Sequence, residues 1–325
     1  MSTDLKSLCG VIYDRPITEE QFGYLIAVGV MDAKTSHSAI RRIIGAIDRQ
    51  RLNTPLNVHF DANDIAFVEL DGFKLAIDLA DASVGKPILH SRSYEPHGTA
   101  FMRRWIKSGM TVVDVGANIG FFTILASKLV GDEGRVIAIE PNSENARLIL
   151  LDVEINRAGN VQLLPVALSN AMGNAYFSAH IGSNGGFLSS SLEILQSPQC
   201  VVVPTFRLDQ LIHDRVDVIK IDVEGAEGLV VEGGWSLIEK HRPAIVTEFS
   251  PEMLGRVSRV KGADYFNRFK NLDYRIFLLE RDKADGVGLE VTDLEDFLGG
   301  YGEHTRIEDF ALVPERGPRG RAKSG

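Results

Sequence analysis

The chain holds only two cysteines in 325 residues, Cys9 and Cys200, which can build neither a disulfide framework nor a thiolate metal site. That scarcity fits a reducing compartment, and a cytoplasmic location is expected. No uncharged apolar run is long enough to cross a bilayer, so membrane insertion is not expected. The opening residues, MSTDLKSLCGVIYDRP, lack the basic stretch and apolar core of a secretion signal. Positive charge is also short: 35 Lys and Arg face 44 Asp and Glu, a net charge of −9, so no overall field draws the chain to phosphate backbones. Nucleic acid is therefore not an expected partner. A dinucleotide fingerprint is missing too. Gly116 is followed by Gly120 with Ala117, Asn118 and Ile119 between them, so the middle glycine of G-x-G-x-x-G is absent. A pyrophosphate would need the close backbone approach that this glycine provides.

What is present has the balance of a globular enzyme, 44% hydrophobic and 24% charged. Residues 1–95 differ from the rest and are expected to form a helical and β-hairpin extension. Thr18-Glu-Glu-Gln21 has capping-box form before the apolar run Phe22 to Met31. Ser36 can cap a second helix, in which Ile40, Ile43, Ile44 and Ile47 recur at helical spacing. That stripe must bury, either back on the main domain or in a homodimer. Two alternating runs around Asp71-Gly72, spanning Ile65 to Asp78, predict a hairpin. From about Gly109 strands and helices alternate, with strands expected at 111–115, 135–139, 161–166, 217–222 and 244–248 and a helix at 119–130. Alternation of this kind implies a parallel sheet with helices on both faces. Tyr274–Glu280 and Phe310–Val313 are expected to pair antiparallel at one edge. The second domain is placed at 96–314, and a basic tail, expected to be disordered, at 315–325.

Two segments share one format. Thr111-Val-Val-Asp-Val-Gly-Ala-Asn-Ile-Gly-Phe-Phe-Thr123 reads as strand, glycine turn and helix start, and Asp217-Val-Ile-Lys-Ile-Asp-Val-Glu-Gly-Ala-Glu227 repeats the pattern. A glycine turn before a helix brings backbone N–H groups toward a ligand. Asp114 stands two residues before the turn, where it can accept hydrogen bonds from the turn or from a ligand amine. Glu140 ends the next strand, where a carboxylate suits both hydroxyls of a ribose. The implied cofactor has a ribose, no required phosphate and a positive centre. S-adenosylmethionine meets all three conditions.

The chain resembles the FkbM-type methyltransferases over about residues 83–282. The matching residues are Val113-Asp-Val-Gly-Ala-Asn-Ile-Gly-Phe-Phe-Thr123, Ala138-Ile-Glu-Pro141, Val166-Ala-Leu-Ser169, Phe206-Arg-Leu-Asp209 and Ile219-Lys-Ile-Asp-Val-Glu-Gly-Ala-Glu227, with Ser93-Tyr-Glu-Pro96 as an approach segment. The resemblance implies a Rossmann-like α/β fold with a seven-stranded sheet, mostly parallel with an antiparallel edge strand. It implies S-adenosylmethionine as donor and methyl transfer to a hydroxyl of a sugar, glycan or glycosylated natural product. The alternatives are N- or C-methylation of another small molecule, or a non-catalytic cofactor-binding subunit. By the same resemblance Asp114, Gly116, Ala117, Asn118 and Gly120 hold the methionine end, and Glu140 and Pro141 lie at the ribose. Asn142 flanks the adenosine, and Ala167 and Ser169 line the adenine.

Methyl transfer needs its partners aligned, and a sugar hydroxyl is a poor nucleophile that a general base helps. Asp222, at the end of the strand expected beside the first, is the leading base and also a cofactor contact; Glu248, at the next strand tip, is the second. His97 and His180 are the histidines placed to reach an acceptor. Lys220 is expected to pair either with Asp222, on the same side of the strand, or with Glu227. Asp222, Glu224 and Glu248 offer oxygen ligands of the kind Mg²⁺ takes, but no metal is expected. The polar segment Gly182–Ser197 is expected to form a mobile loop over the acceptor.

Overall fold

A computed structural model describes residues 64–178, 188–189, 200–281, 286, 288–299 and 307–315. The expected helices at Thr18–Met31 and Ser36–Ile47, His180, the body of the 182–197 loop and the tail from 316 lie outside the described residues. The chain divides into two compact units that meet in sequence between Tyr94 and Glu95.

The described part of the first unit is the expected hairpin, β1 (Ile65–Leu70) and β2 (Phe73–Asp78), followed by helix α1 (Gly85–Ser91). Leu70 pairs with Phe73 around Asp71-Gly72, and Gly72 takes a φ of 87°. That left-handed conformation is why the turn places glycine there. Alternate residues Val68, Leu75 and Ile77 are fully buried.

The second unit opens with α2 (Pro96–Trp105), then β3 (Thr111–Val115), α3 (Phe121–Val130), β4 (Arg135–Ile139), α4 (Ser143–Asn156) and β5 (Val161–Leu164). A short β6 (Ala167–Leu168), β7 (Gly173–Ser178), β8 (Leu188–Ser189) and β9 (Cys200–Phe206) follow. Next come α5 (Leu208–Leu211), β10 (Val218–Ile221), α6 (Glu227–Gly233), α7 (Trp235–His241), β11 (Ala244–Phe249), α8 (Pro251–Val257) and α9 (Gly262–Lys270). The unit closes with β12 (Tyr274–Leu279), β13 (Leu289–Glu290), α10 (Leu294–Gly299) and β14 (Glu308–Pro314).

The main sheet runs β5-β4-β3-β10-β11-β14-β12-β13. Its first five strands are mutually parallel, and β14 lies antiparallel between β11 and β12. The chain builds outward from β3 to β5 and then restarts at β10 on the other side. That reversal leaves a crevice at the carboxyl ends of β3 and β10, where open α/β sheets bind ligands. Because both faces are covered, the central strands are mostly apolar, with Val113, Ile137, Ile219 and Ile245 almost fully buried. Asp114 of β3 and Lys220 of β10 are the buried charged exceptions. Tyr265, Phe266 and Phe269 share one face of α9 and pack with Phe249 and Phe310 of the sheet. Each buried ring contributes about 1.5–3 kcal/mol.

Three expectations need correction. The sheet has eight strands rather than seven, because the two residues of β13 add to the outer side of β12. A separate four-stranded sheet, β6-β9-β7-β8, stands where the sequence suggested only a strand continuing to 166 and a loop. Helix α3 starts at Phe121 rather than 119, because Asn118 and Gly120 have φ of 52° and 94°, which no right-handed helix accommodates.

Candidate active site

The turn after β3 is held by its own hydrogen bonds. The amides of Gly116 and Ala117 donate to Ile139 O at 3.0 and 3.1 Å, and that of Gly120 to Ala117 O at 2.9 Å. Asn118 N donates to Glu140 Oε2 at 2.8 Å and Ile119 N to Asn118 Oδ1 at 2.7 Å. The expectation that these N–H groups face a ligand is therefore not met; every one of the five serves the turn. A phosphate cradle needs such groups unspent, so this loop suits a cofactor without phosphate. Gly116 has a φ of 77°, and a Cβ on it would lie 1.8 Å from Asp222 O. Glycine is thus what lets the turn close onto the end of β10. The Ala117 side chain is buried with Ala138 and Ile149.

Asp114 is fully buried on β3. Its Oδ2 accepts from Thr123 Oγ1 at 2.6 Å, whereas Oδ1 has no partner among the described residues. Burial raises its pKa, with Lys220 and Thr123 opposing. Glu140, just past β4, is 5% exposed. Its Oε1 accepts from Asn142 N at 2.9 Å, and burial pushes its carboxyl up to about 7 despite the backbone donors. Pro141 links it to Asn142, whose side chain caps α4 by accepting from Glu144 N at 2.9 Å. Backbone bonds from Glu140 N and Val166 N to Leu164 O lead the chain from β5 directly into Val166–Ser169. Ala167 is buried in β6, and Ser169 N donates to Phe206 O. Arg207 fixes this segment: it grips Asp209 through Nε and Nη2 and donates from Nη1 to Asn170 O at 2.8 Å. The Phe206-Arg-Leu-Asp209 motif thus has a structural part in the site, holding the segment that follows Ser169.

These residues fit S-adenosylmethionine. Asp114 presents an unpartnered buried oxygen of the kind an ammonium meets, Glu140 a fixed carboxylate for hydroxyl donors, and the turn no anion cradle.

At the far end of the crevice, Lys220 Nζ bonds Asp222 Oδ2 at 2.8 Å and lies 4.9 Å from the centroid of the Phe122 ring. Burial opposes its charge, but Asp222, Glu95 and Asp114 together raise its pKa. The alternative pairing with Glu227 does not occur: Glu227 Oε1 instead accepts from Val223 N and Gly225 N at 3.1 Å. A small cavity here is lined by Glu95, Gly98, Phe122, Lys220, Ile221, Asp222, Val246, Glu248 and Asp309. Burial, reinforced by Asp222, Glu224, Glu227 and Asp309, pushes the Glu248 carboxyl up to about 10. A carboxyl raised in this way favours its protonated, hydrogen-bond-donating form, and is a weaker base than the strand-tip position suggested.

His97, the second residue of α2, is 4% exposed and does not line this cavity. Its Nε2 lies 2.5 Å from Asp309 Oδ2. His180 lies outside the described residues. Among the described residues no group of three or more His, Cys, Asp or Glu side chains is arranged to hold a metal ion. Sequence reasoning missed Glu95 and Asp309. Glu95 stood within the quoted approach segment, while Asp309 lay one residue before the expected last strand.

No curated protein matches the chain. Among solved structures, an FkbM methyltransferase from Methylobacillus flagellatus is similar at 17% identity and a TM-score of 0.42, over 70% of this chain but only 50% of that one. The TYW2 protein of M. jannaschii in complex with S-adenosylmethionine aligns at 10% identity and TM-score 0.42, over 79% of this chain and 87% of that one. An S-adenosylmethionine-dependent O-methyltransferase from Thermotoga maritima aligns at 15% identity and TM-score 0.39, over 82% and 86%. No helix among the described residues is long and apolar enough to cross a membrane. A family model described as the methyltransferase FkbM domain matches residues 114–282, which run from Asp114 on β3 past the last residue of β12. The chain belongs to this FkbM family of S-adenosylmethionine-dependent methyltransferases.

Proposed function

We propose that the protein methylates a hydroxyl of a sugar, glycan or glycosylated natural product. The observation that carries this reading is the cavity at the end of β10, where four carboxyl groups, Glu95, Asp222, Glu248 and Asp309, meet one ammonium, Lys220. Carboxylates accept hydrogen bonds and repel anions. Such a wall favours an acceptor rich in hydroxyl donors and disfavours phosphorylated or carboxylated ones. Phenylalanine and valine complete it with Phe122 and Val246, apolar surface suited to the carbon face of a sugar ring.

S-adenosylmethionine supplies the electrophilic methyl group. In this reading Asp114 meets its ammonium, and Gly116, Asn118 and Gly120 shape the turn around the methionine end. Glu140 takes the ribose hydroxyls, with Pro141 and Asn142 beside them. Ala167 and Ser169 border the adenine. Asp222, held by Lys220, orients the acceptor, and Glu248 donates a hydrogen bond to it. The acceptor is a small molecule or glycan rather than a nucleic acid, consistent with the net charge of −9. The setting is cytoplasmic, and the N-terminal isoleucine stripe offers a homodimer contact.

The same carboxylates also attract a protonated amine, which makes N-methylation the second reading. The test is incorporation of labelled methyl from S-adenosylmethionine into neutral glycosides, sugar phosphates, uronates and amino sugars. Labelling of neutral glycosides with base-stable ethers supports the proposal. Labelling confined to amines moves it to N-methylation, and labelling of the anionic sugars alone overturns the role given to the acidic wall.

A further inference from the structure

The His97–Asp309 pair joins the first helix of the second unit to the last strand of its sheet, across 212 residues of sequence. Its two members are not equivalent. The imidazole is buried behind, with its side chain 5% exposed and no part in the cavity wall. The carboxylate stands in front, 15% exposed and lining the cavity. On the neighbouring strand Glu248 faces Asp309 in register.

The hydrogen bond also sets the tautomer. A carboxylate oxygen beside Nε2 selects the form in which Nε2 carries hydrogen and donates it. The other ring nitrogen, Nδ1, is buried with no partner among the described residues. The ring therefore spends its one good contact on Asp309.

The other carboxyls at the cavity are committed elsewhere. Asp222 is tied to Lys220. Glu248 pairs in register with Asp309 and stands among Asp222, Glu224 and Glu227, where burial raises its pKa. Glu95, the residue before α2, acts with Asp222 to hold the charge on Lys220.

From this geometry we infer that Asp309 is the group that takes the proton from the acceptor hydroxyl, and that His97 is a positioning residue that fixes its carboxylate from behind. As the acceptor oxygen bonds to the methyl carbon, the carbon–sulfur bond breaks and its electron pair stays on sulfur. The hydroxyl hydrogen passes to Asp309, where the His97 Nε2–H bond holds the resulting carboxylic acid in place. The arrangement inverts the familiar order in which a carboxylate orients a histidine base. The inference rests on the hydroxyl-acceptor reading above.

Two measurements on the full chain test it. Long-range ¹⁵N–¹H correlation on ¹⁵N-histidine protein bound to S-adenosylhomocysteine should show His97 protonated at Nε2, with the signal pattern changed in Asp309→Asn. A ring protonated only at Nδ1 in the wild type overturns the inference. Labelled methyl transfer to neutral glycosides should fall about 100-fold in Asp309→Asn, with S-adenosylhomocysteine affinity within twofold of wild type. His97→Leu should lose about tenfold, and His97→Gln, whose amide can still donate to Asp309, should recover most of it. Asp309→Asn turning over within threefold of wild type sinks the assignment alone. Loss of S-adenosylhomocysteine binding in that variant would instead make Asp309 part of the cofactor site. Wild-type protein that binds S-adenosylhomocysteine yet methylates no hydroxylated acceptor overturns the hydroxyl reading and this inference with it.

Discussion

Lys220 Nζ, on β10, and Asp222 Oδ2, one residue past its end, lie 2.8 Å apart. The lysine is 7% exposed and the aspartate 26%, so the pair spans from the core to the cavity wall. A buried ammonium needs its carboxylate, and removing one partner leaves an uncompensated charge. Lys220→Met strands Asp222 beside Glu248 and Asp309 and should lower stability by about 3 kcal/mol, read as a shift in urea midpoint. Asp222→Asn takes the main partner from the more buried lysine and leaves it with Glu95 and Asp114. Its urea midpoint should also fall, by less than in Lys220→Met, while turnover drops further than stability explains. Normal turnover in Asp222→Asn with cofactor bound would remove Asp222 from the acceptor site.

The turn after β3 makes a sharper prediction. A methyl group on Gly116 would meet Asp222 O at 1.8 Å, and its φ of 77° is strained for any other residue. Both costs act at once, and neither can relax without separating β3 from β10. Gly116→Ala should therefore destabilise by more than about 2 kcal/mol and abolish binding of S-adenosylhomocysteine in calorimetry. Gly159→Ala, where a Cβ meets nothing within 4 Å, serves as the neutral control. Equal binding by the two variants would show that the turn does not form part of the cofactor site.

Much of this was legible in the sequence. The β-branched runs at 111–115, 135–139 and 244–248 announced their strands because a parallel sheet buried on both faces needs mostly apolar residues, and Asp114 and Glu248 stand out against them. Glu140 and Asp222 were found by standing at strand ends, and Asp114 by standing two residues before the glycine turn. The second sheet was missed for a physical reason: β9 carries Pro204 within its apolar run, which weakens the strand signal, and its partner β6 has only two residues. Asp309 was missed because Glu308-Asp309 reads as polar loop, whereas pairing with Glu248 and Phe249 draws both residues into β14. The direction of the turn amides was illegible too, since only the fold shows that Ile139 O and Glu140 consume them.

Glu140 gives the cofactor site a pH signature. Its carboxyl is pushed up to about 7 by burial. A carboxylate accepts from two ribose hydroxyls, whereas the protonated acid loses one acceptor, so S-adenosylhomocysteine should bind more weakly as pH falls through about 7. One unit below the pKa, about nine-tenths of the groups are protonated, and affinity should drop by up to about tenfold between pH 8 and pH 6. Glu140→Gln should bind more weakly than wild type at pH 8 and lose this dependence. A wild-type affinity flat across that range would take the ribose contact away from Glu140.

Glu248 carries the opposite kind of consequence, on stability. Its folded-state carboxyl is pushed up to about 10, mainly by burial and then by Asp222, Glu224, Glu227 and Asp309, from an ordinary value of 4.5. The folded chain keeps this proton where the unfolded chain gives it up. Unfolding therefore releases a proton between those two values, and the group's contribution turns against folding as pH rises from 4.5 toward 10. Glutamine has the shape of the protonated acid and no proton to lose. Glu248→Gln should melt with the wild type at pH 5 and be more stable by about 2 kcal/mol at pH 8, a figure that allows for partial solvation. Thermal unfolding at the two pH values reads the difference directly. A gain at pH 5 as large as that at pH 8 would mean that repacking, not the held proton, stabilises the variant.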